Sequence, residues 1–279
     1  MKKLLSVLLL ISMLCMTVAF VSCTQPADDQ NNDGQIVDNQ GTPDDAQQPE
    51  VKKIVVGVDD QIAPMAFRDE NNIMTGFDID YLTAVAEEMG YEIEFQGIDW
   101  SSKFMELESG KIDIIASGFT IDDERKAQCN ITDPYLANSQ IIVVAAGSEI
   151  AAKADLADKI VGVQTDSTAI NALNKDEISS SIAQQVEYPD NVSILNDVKV
   201  GRLDAAVLDA TVANYYATIE PDAFKILEES LSPEEYGFAV KKGNDELSAK
   251  LQAGIDAVNE SGKAAEISTK WFGSDIVLK

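Results

Sequence analysis

Residues 110–135, GKIDIIASGFTIDDERKAQCNITDPY, decide the fold. The run 112–116 is apolar apart from Asp113, and Ile-rich runs this short suit a buried strand better than a helix. Ser117, Gly118 and Thr120 follow at its carboxyl end. That is where open α/β sheets bind ligands, and small hydroxyl residues and Gly allow close backbone approach there. Arg125 comes next, at the start of a short helical patch. An Arg fork beside hydroxyls and free N–H groups matches a carboxylate bidentately. The plainer alternative is an Arg solvated among Asp122, Asp123 and Glu124.

The chain repeats this stretch. Gly110-Lys111-Ile112-Asp113-Ile114-Ile115-Ala116 returns as Gly201-Arg202-Leu203-Asp204-Ala205-Ala206-Val207. An earlier strand, Ile54-Val55-Val56-Gly57-Val58, is echoed by Ile160-Val161-Gly162-Val163. Two matches in the same order predict two similar, Rossmann-like α/β lobes. If the strand ends of both lobes face one cleft, Arg125 from one copy and Asp209 from the other supply opposite charges suited to a zwitterion. Asp209 also stands where it could cap a helix beginning near Ala210, a role that needs no ligand.

Composition narrows the function. The 279 residues carry 21 Lys and Arg against 48 Asp and Glu, a net charge of −27. Such acidity disfavours nucleic acid and anionic lipid as partners. There is no His, which removes His-dependent triads, His general bases and His metal sites. Neither a metal nor a cofactor is expected. Residues 1–22 read as a leader: Lys2 and Lys3 precede an apolar run that ends in Phe20-Val21-Ser22-Cys23. A small residue before a Cys at the end of such a run is similar to a bacterial lipoprotein box, making Cys23 the expected lipidation site. An uncleaved signal anchor is the alternative. Residues 23–50 hold almost nothing apolar and should form a disordered acidic tether. Cys129 would then be the one remaining thiol, with no internal disulfide, and it reads as buried rather than nucleophilic.

The globular part begins near Lys52. Its first strand ends at Asp59, and Pro64 marks a loop at the strand end. After Gly76, Ile79, Leu82, Ala86 and Met89 share one helical face, and Gly90 stops that helix. Trp100 opens another helix and is either core or a ligand wall. Gln164, Ser167 and Thr168 follow the second Val-Gly-Val strand, and the helix expected over 169–174 would present free N–H groups to an anion. Strands are expected at 224–227 and 235–240. Crossings near 135–139 and 232–236 make a two-strand hinge, with residues 51–134 and 236–279 in lobe 1 and 135–235 in lobe 2.

The globular chain, from about residue 53 to 273, resembles the polar amino-acid substrate-binding proteins of ABC transporters, the family-3 solute-binding proteins. The matching blocks include Thr75-Gly76-Phe77-Asp78-Ile79-Asp80, Ser117-Gly118-Phe119-Thr120 with Glu124-Arg125-Lys126, Thr132-Asp133-Pro134-Tyr135, Glu235-Tyr236-Gly237 and Trp271-Phe272-Gly273. The resemblance implies a type II periplasmic binding protein whose lobes close on an amino acid. By motif, Arg125 would grip the α-carboxylate, helped by the main chain around Thr168. Asp209, Thr120 and the Gly118 carbonyl would hold the α-ammonium. Trp100 would be a wall, and Asp59 and Gln164 would sit near the ligand side chain. Ser117 and Ser167 belong to the same implied site. Ile62 stands where the family commonly has an aromatic, and Met65-Ala66 replaces a common Phe-Glu pair.

The implied function is a monomeric, lipid-anchored receptor for a polar or cationic L-amino acid. It would sit on the outer face of a bacterial cell membrane, of Gram-positive type rather than in a Gram-negative periplasm. It would hand its ligand to an ABC permease served by a cytoplasmic ATPase. The alternatives are a cyclohexadienyl dehydratase-like enzyme on the same fold and a ligand-sensing ectodomain. If Cys23 is lipidated, Cys23→Ala will release the protein from the membrane fraction or leave an unprocessed precursor. Membrane retention of a processed Cys23→Ala form, read by fractionation, would refute it.

Overall fold

Lys53–Val58 (β1) is a strand because its Ile-Val-Val-Gly-Val run tolerates burial on both faces, and Val56 and Val58 are fully buried. The computed structural model describes residues 52–279, so the expected leader, Cys23 and the tether lie outside the described residues. After β1 come three short strands, Gln61–Ile62 (β2), Ala66–Arg68 (β3) and Met74–Thr75 (β4), which pair into a small sheet of their own. Then follow Phe77–Met89 (α1), Glu92–Gly97 (β5), Lys103–Ser109 (α2), Ile114–Ile115 (β6), Asp123–Gln128 (α3) and Cys129–Ile131 (β7). Leu136–Ala145 (β8) crosses to a second sheet. That half continues with Ile160–Gln164 (β9), Thr168–Lys175 (α4), Gln184–Tyr188 (β10), Asn191–Lys199 (α5), Ala205–Asp209 (β11), Ala210–Ile219 (α6) and Phe224–Tyr236 (β12). Ala239–Lys241 (β13) returns to the first sheet, followed by Asp245–Glu260 (α7) and Lys263–Phe272 (α8). No helix among the described residues is long and apolar enough to cross a membrane.

The two large sheets have matching strand orders, β5-β1-β6-β13-β7 and β10-β9-β11-β8-β12. In each, the Val-Gly-Val strand runs parallel to both neighbours. The fourth place goes to an antiparallel strand that has just crossed between lobes. Even the register repeats: Gly57 pairs with Ile115, and Gly162 with Ala206.

Packing explains why the motif recurs. A Cβ on Gly57 would stand 2.5 Å from Ile112 Cδ1, and one on Gly162 would stand 2.5 Å from Leu203 Cδ1. The apolar residue of each Gly-basic-apolar-Asp turn fills the space that the strand glycine leaves. The Asp of each turn then accepts a backbone bond from the neighbouring strand, Val55 N–H to Asp113 and Ile160 N–H to Asp204, both at 2.8 Å. This brace satisfies a strand N–H that would otherwise lack a partner.

Several boundaries differ from the sequence expectation. The run 112–116 contributes only Ile114 and Ile115 to the ladder. The helix expected over 169–174 runs from Thr168 to Lys175. The strand expected at 224–227 extends to Tyr236, irregular between Ile226 and Ser232, and the one expected over 235–240 divides between β12 and β13. Residues 228–235 are too polar to read as a strand, but β12 lies at the sheet edge, where backbone pairing to β8 suffices.

Asp113→Ala and Asp204→Ala should each lower stability to chemical denaturation by about 1–3 kcal/mol, through the stranded N–H. The two losses should be similar, because the roles are equivalent. Losses below about 0.5 kcal/mol would make these aspartates ordinary surface residues.

Candidate functional site

The cleft is built around a turn after β6. Ser117 and Gly118 both have positive φ, 77° and 61°. A side chain on Gly118 would meet the Tyr236 ring at 3.0 Å. Asp78, in the first turn of α1, holds this turn: one carboxylate oxygen accepts from Ser117 N–H and Gly118 N–H, each at 2.9 Å. The other accepts from the Tyr135 hydroxyl at 2.7 Å. Burial lifts the Asp78 carboxyl to about 6 despite these three bonds. The Ser117 hydroxyl donates to Asp59 O at 3.3 Å.

Arg125 is buried rather than solvated, at 6% exposure. Asp122 caps α3 by accepting Arg125 N–H at 2.7 Å, which fixes the start of the side chain. The guanidinium lies 4.5 Å from the Phe119 ring centroid and donates through Nη1 to Thr120 O at 3.0 Å. Its Nε stands 3.8 Å from an Asp122 oxygen. Trp100 is buried and packs edge-on against Phe119 at 6.2 Å. Thus it is both core and cavity wall. Cys129 is buried beneath, and burial pushes its thiol up to about 11, consistent with an inert packing role.

The second lobe brings the anion. Asp209 ends β11, and its carboxylate does not cap α6. One oxygen instead accepts from Asn138 Nδ2 at 2.6 Å, the Tyr236 hydroxyl at 2.7 Å and Gln140 Nε2 at 3.0 Å. Burial, then the charge of Glu234, raises Asp209 to about 6. Gln164 donates through Nε2 to Asp59 across the cleft at 2.7 Å and accepts from Asn191 Nδ2 at 3.1 Å. Asp59 also rises to about 6 through burial and the nearby charges of Asp190 and Asp60. The Ser167 hydroxyl is turned back to Gln164 O at 2.7 Å, so α4 begins without a side-chain cap. Thr120 and Thr168 meet across the cleft, hydroxyl to hydroxyl, at 3.3 Å.

Trp100, Ser117, Gly118, Thr120 and Arg125 from one lobe face Gln164, Ser167, Thr168 and Asp209 from the other around one narrow cavity. It is nearly closed, with a volume of about 10 Å³, and has Ile62 on its wall and Asp59 one hydrogen bond away. A buried cation and a buried carboxylate at separate points of such a cavity have charges suited to a small zwitterion, which would need the lobes to part to enter. Three participants escaped sequence reasoning. Asp78 sat in a quoted motif without a role. Glu234 accepts from Thr120 Oγ1 at 3.1 Å and Gln140 Nε2 at 3.0 Å, and its sequence signal is only another acid in an acidic stretch. Lys103 is buried beside Trp100, and no motif distinguishes it from a surface lysine. A larger apolar groove of about 650 Å³ between α6, β8 and α8 has no charged lining residue. No cluster suited to a metal occurs among the described residues.

Known proteins share this architecture. The arginine-binding extracellular protein ArtP of Bacillus subtilis (strain 168) is 29% identical over 267 residues, covering 95% of this chain and 97% of the relative. The L-cystine-binding protein TcyJ of Escherichia coli (strain K12) is 28% identical over 228 residues, covering 80% of this chain and 84% of the relative. Among solved structures, the arginine-, lysine-, histidine-binding protein ArtJ from the thermophilic bacterium Geobacillus stearothermophilus superposes with a TM-score of 0.74. It is 33% identical, with 80% of this chain and 96% of that one covered. The pattern that defines the family matches residues 54–274, nearly the whole described chain, which therefore belongs to the bacterial extracellular solute-binding proteins, family 3.

Proposed function

We propose that this protein is the receptor of an ABC-type import system that closes its lobes on a free, polar or cationic L-amino acid and passes it to a membrane permease. One observation carries the reading: Arg125 and Asp209, of opposite charge and both buried, converge on one cavity from different lobes. Arg125 would hold the α-carboxylate with the uncapped start of α4. Asp209, with Thr120 and the Gly118 carbonyl, would hold the α-ammonium. At the side-chain end, Asp59 is a buried acid without an ion pair among the described residues, with the charge of Asp190, the cap of α5, nearby, which favours a cationic ligand. The names of relatives that bind arginine, lysine or histidine agree with that preference. Lipidation at Cys23 would keep the receptor, as a monomer, at the outer face of the membrane, on a Gram-positive surface.

A thermal-shift screen of the twenty amino acids on ligand-stripped protein tests the class. At a ligand concentration near 100 Kd, linkage adds about 2.7 kcal/mol, a Tm rise of roughly 5–10 °C. Absence of any shift would overturn the reading. Arg125→Ala should weaken binding of the best ligand by more than about a hundredfold while the fold persists, and Arg125→Lys should not restore it fully. Binding by Arg125→Ala within a few-fold of the parent, read by calorimetry, would move the carboxylate to the 164–168 loop.

The raised carboxyls predict a pH dependence. Because the folded-state values of Asp59 and Asp209, about 6, exceed the ordinary 3.8, the fold prefers both groups protonated and loses stability as pH rises between those values. A ligand cation at each reverses that preference, so binding releases protons below about pH 6. Affinity should therefore fall about tenfold per engaged carboxylate from about pH 7 to about pH 5. Calorimetry should show a steeper fall for arginine, which would engage both acids, than for glutamine, which would engage only Asp209. Flat profiles for both would place the ligand charges elsewhere.

A further inference from the structure

Gln164 reaches Asp59 across the cleft, and the sense in which its amide faces is fixed from behind, within lobe 2. Its Nε2 has two acceptors, Asp59 Oδ2 at 2.7 Å and Pro189 O at 3.1 Å, and its Oε1 accepts from Asn191 Nδ2 at 3.1 Å. A backbone carbonyl can only accept, so Pro189 O holds the amide nitrogen on the Asp59 side. Asn191, 2% exposed, supplies the donor that the amide oxygen then needs. Both anchors are stiff. Tyr188 pairs with Gln164 in the ladder between β9 and β10. Asp190 caps α5 by accepting Ser193 N–H at 2.7 Å, which holds Asn191 in the first turn.

Asp59 meets donors on both oxygens, Gln61 N–H on Oδ1 at 3.0 Å and the Gln164 amide on Oδ2. Its charged and titratable neighbours are Asp190, Asp60, which pairs with Arg68, and the Tyr216 hydroxyl on α6. Burial pushes its carboxyl up to about 6, and the bond from Gln164 is the largest opposing pull. Turned the other way, the amide would present Oε1, which bonds Asp59 only when Asp59 is protonated. The sense of one amide therefore decides which form of Asp59 the closed cleft holds.

We propose that Asn191, which does not line the cavity, is a positioning residue for side-chain selectivity: with Pro189 O it clamps Gln164 so that closure brings Asp59 a donor and keeps it an ionised partner for a ligand cation. The inference rests on the receptor reading above and deepens it at the side-chain end. It places the discrimination between a charged and a neutral side chain of the same shape in α5, outside the residues that touch the ligand.

The test compares L-arginine with L-citrulline, in which a neutral urea replaces the guanidinium, by calorimetry on the parent, Asn191→Asp and Asn191→Leu. Asp keeps the size of Asn but puts an acceptor against Gln164 Oε1, which drives the amide to turn. Leu removes the donor and adds no charge. In Asn191→Asp, affinity for arginine should fall about 10- to 100-fold and for citrulline less than about threefold, so the preference for the cation collapses. Asn191→Leu should lower the same preference by a smaller factor, about threefold or more. It should also move the acid limb of arginine binding to higher pH, because Asp59 then takes up its proton more readily. A merely structural role predicts the opposite for Asn191→Asp, since an acid in the first turn of a helix is favourable and its charge would draw a ligand cation. Arginine bound by Asn191→Asp as tightly as by the parent, or an unchanged preference and pH profile in Asn191→Leu, overturns the assignment and leaves the receptor reading standing. A parent that binds arginine no better than citrulline overturns it together with the cationic preference. If the parent binds no amino acid, the receptor reading fails and this inference falls with it.

Discussion

The antiparallel pairing of β8 with β12 is the constraint on which the rest of the structure depends. It runs from Ala145 and Phe224 to Leu136 and Tyr236, so both crossings between lobes belong to one ladder. The same ladder holds the anion of the site, because the partners of Asp209 are Asn138 and Gln140 on one strand and Tyr236 on the other. Glu234, also on β12, reaches Thr120 of the opposite lobe. Any change in the angle between the strands therefore shifts the hydrogen bonds around Asp209. Gln140 shows the tension: its Nε2 faces Thr168, Asp209 and Glu234, while its Oε1 is the buried side-chain atom without a partner among the described residues.

The first lobe contributes rigidity. A left-handed turn at Ser117 and Gly118 is a strained shape for Ser, of order 1 kcal/mol, and it persists because Asp78 binds both N–H groups from below. Arg125 is similarly immobilised, capped at its backbone by Asp122 and stacked on Phe119. Fixed charges in a buried cleft need little reorganisation when a ligand arrives, which favours tight binding. The charges of the cavity are thus divided: lobe 1 supplies a rigid cationic corner, and lobe 2 with the hinge supplies the carboxylate.

Much of this was legible in the sequence, and the limits have physical causes. The two-lobe plan followed from short repeats, because packing of Gly57 on Ile112 and of Gly162 on Leu203 demands the same residues in both halves. That Arg125 and Asp209 line the cavity was legible because Arg125 lies in the segment after β6 and Asp209 at the end of β11, and topology directs such positions to the cleft. Whether Asp209 caps α6 could not be read locally, since its partners come from residues 138, 140 and 236. Lys103 was hidden for the same reason: a lysine in an amphipathic helix looks solvated until the other lobe supplies Asp166 as its acceptor. The length of β12 was obscured because an edge strand needs backbone pairing, not an apolar pattern.

The place of β13 in the first sheet bears on how the chain acquires its shape. β13 sits between β6 and β7, although more than a hundred residues separate it from either strand. A chain emerging amino end first therefore exposes the β6 edge until almost all of it has appeared. The second sheet needs no such wait, since β8 to β12 form one continuous segment. Lobe 2 is thus the natural early-forming unit, while lobe 1 carries the high contact order and sets the slower step. An unmatched sheet edge during that interval is a template for pairing with other chains, which makes the half-emerged molecule the species most in need of a chaperone.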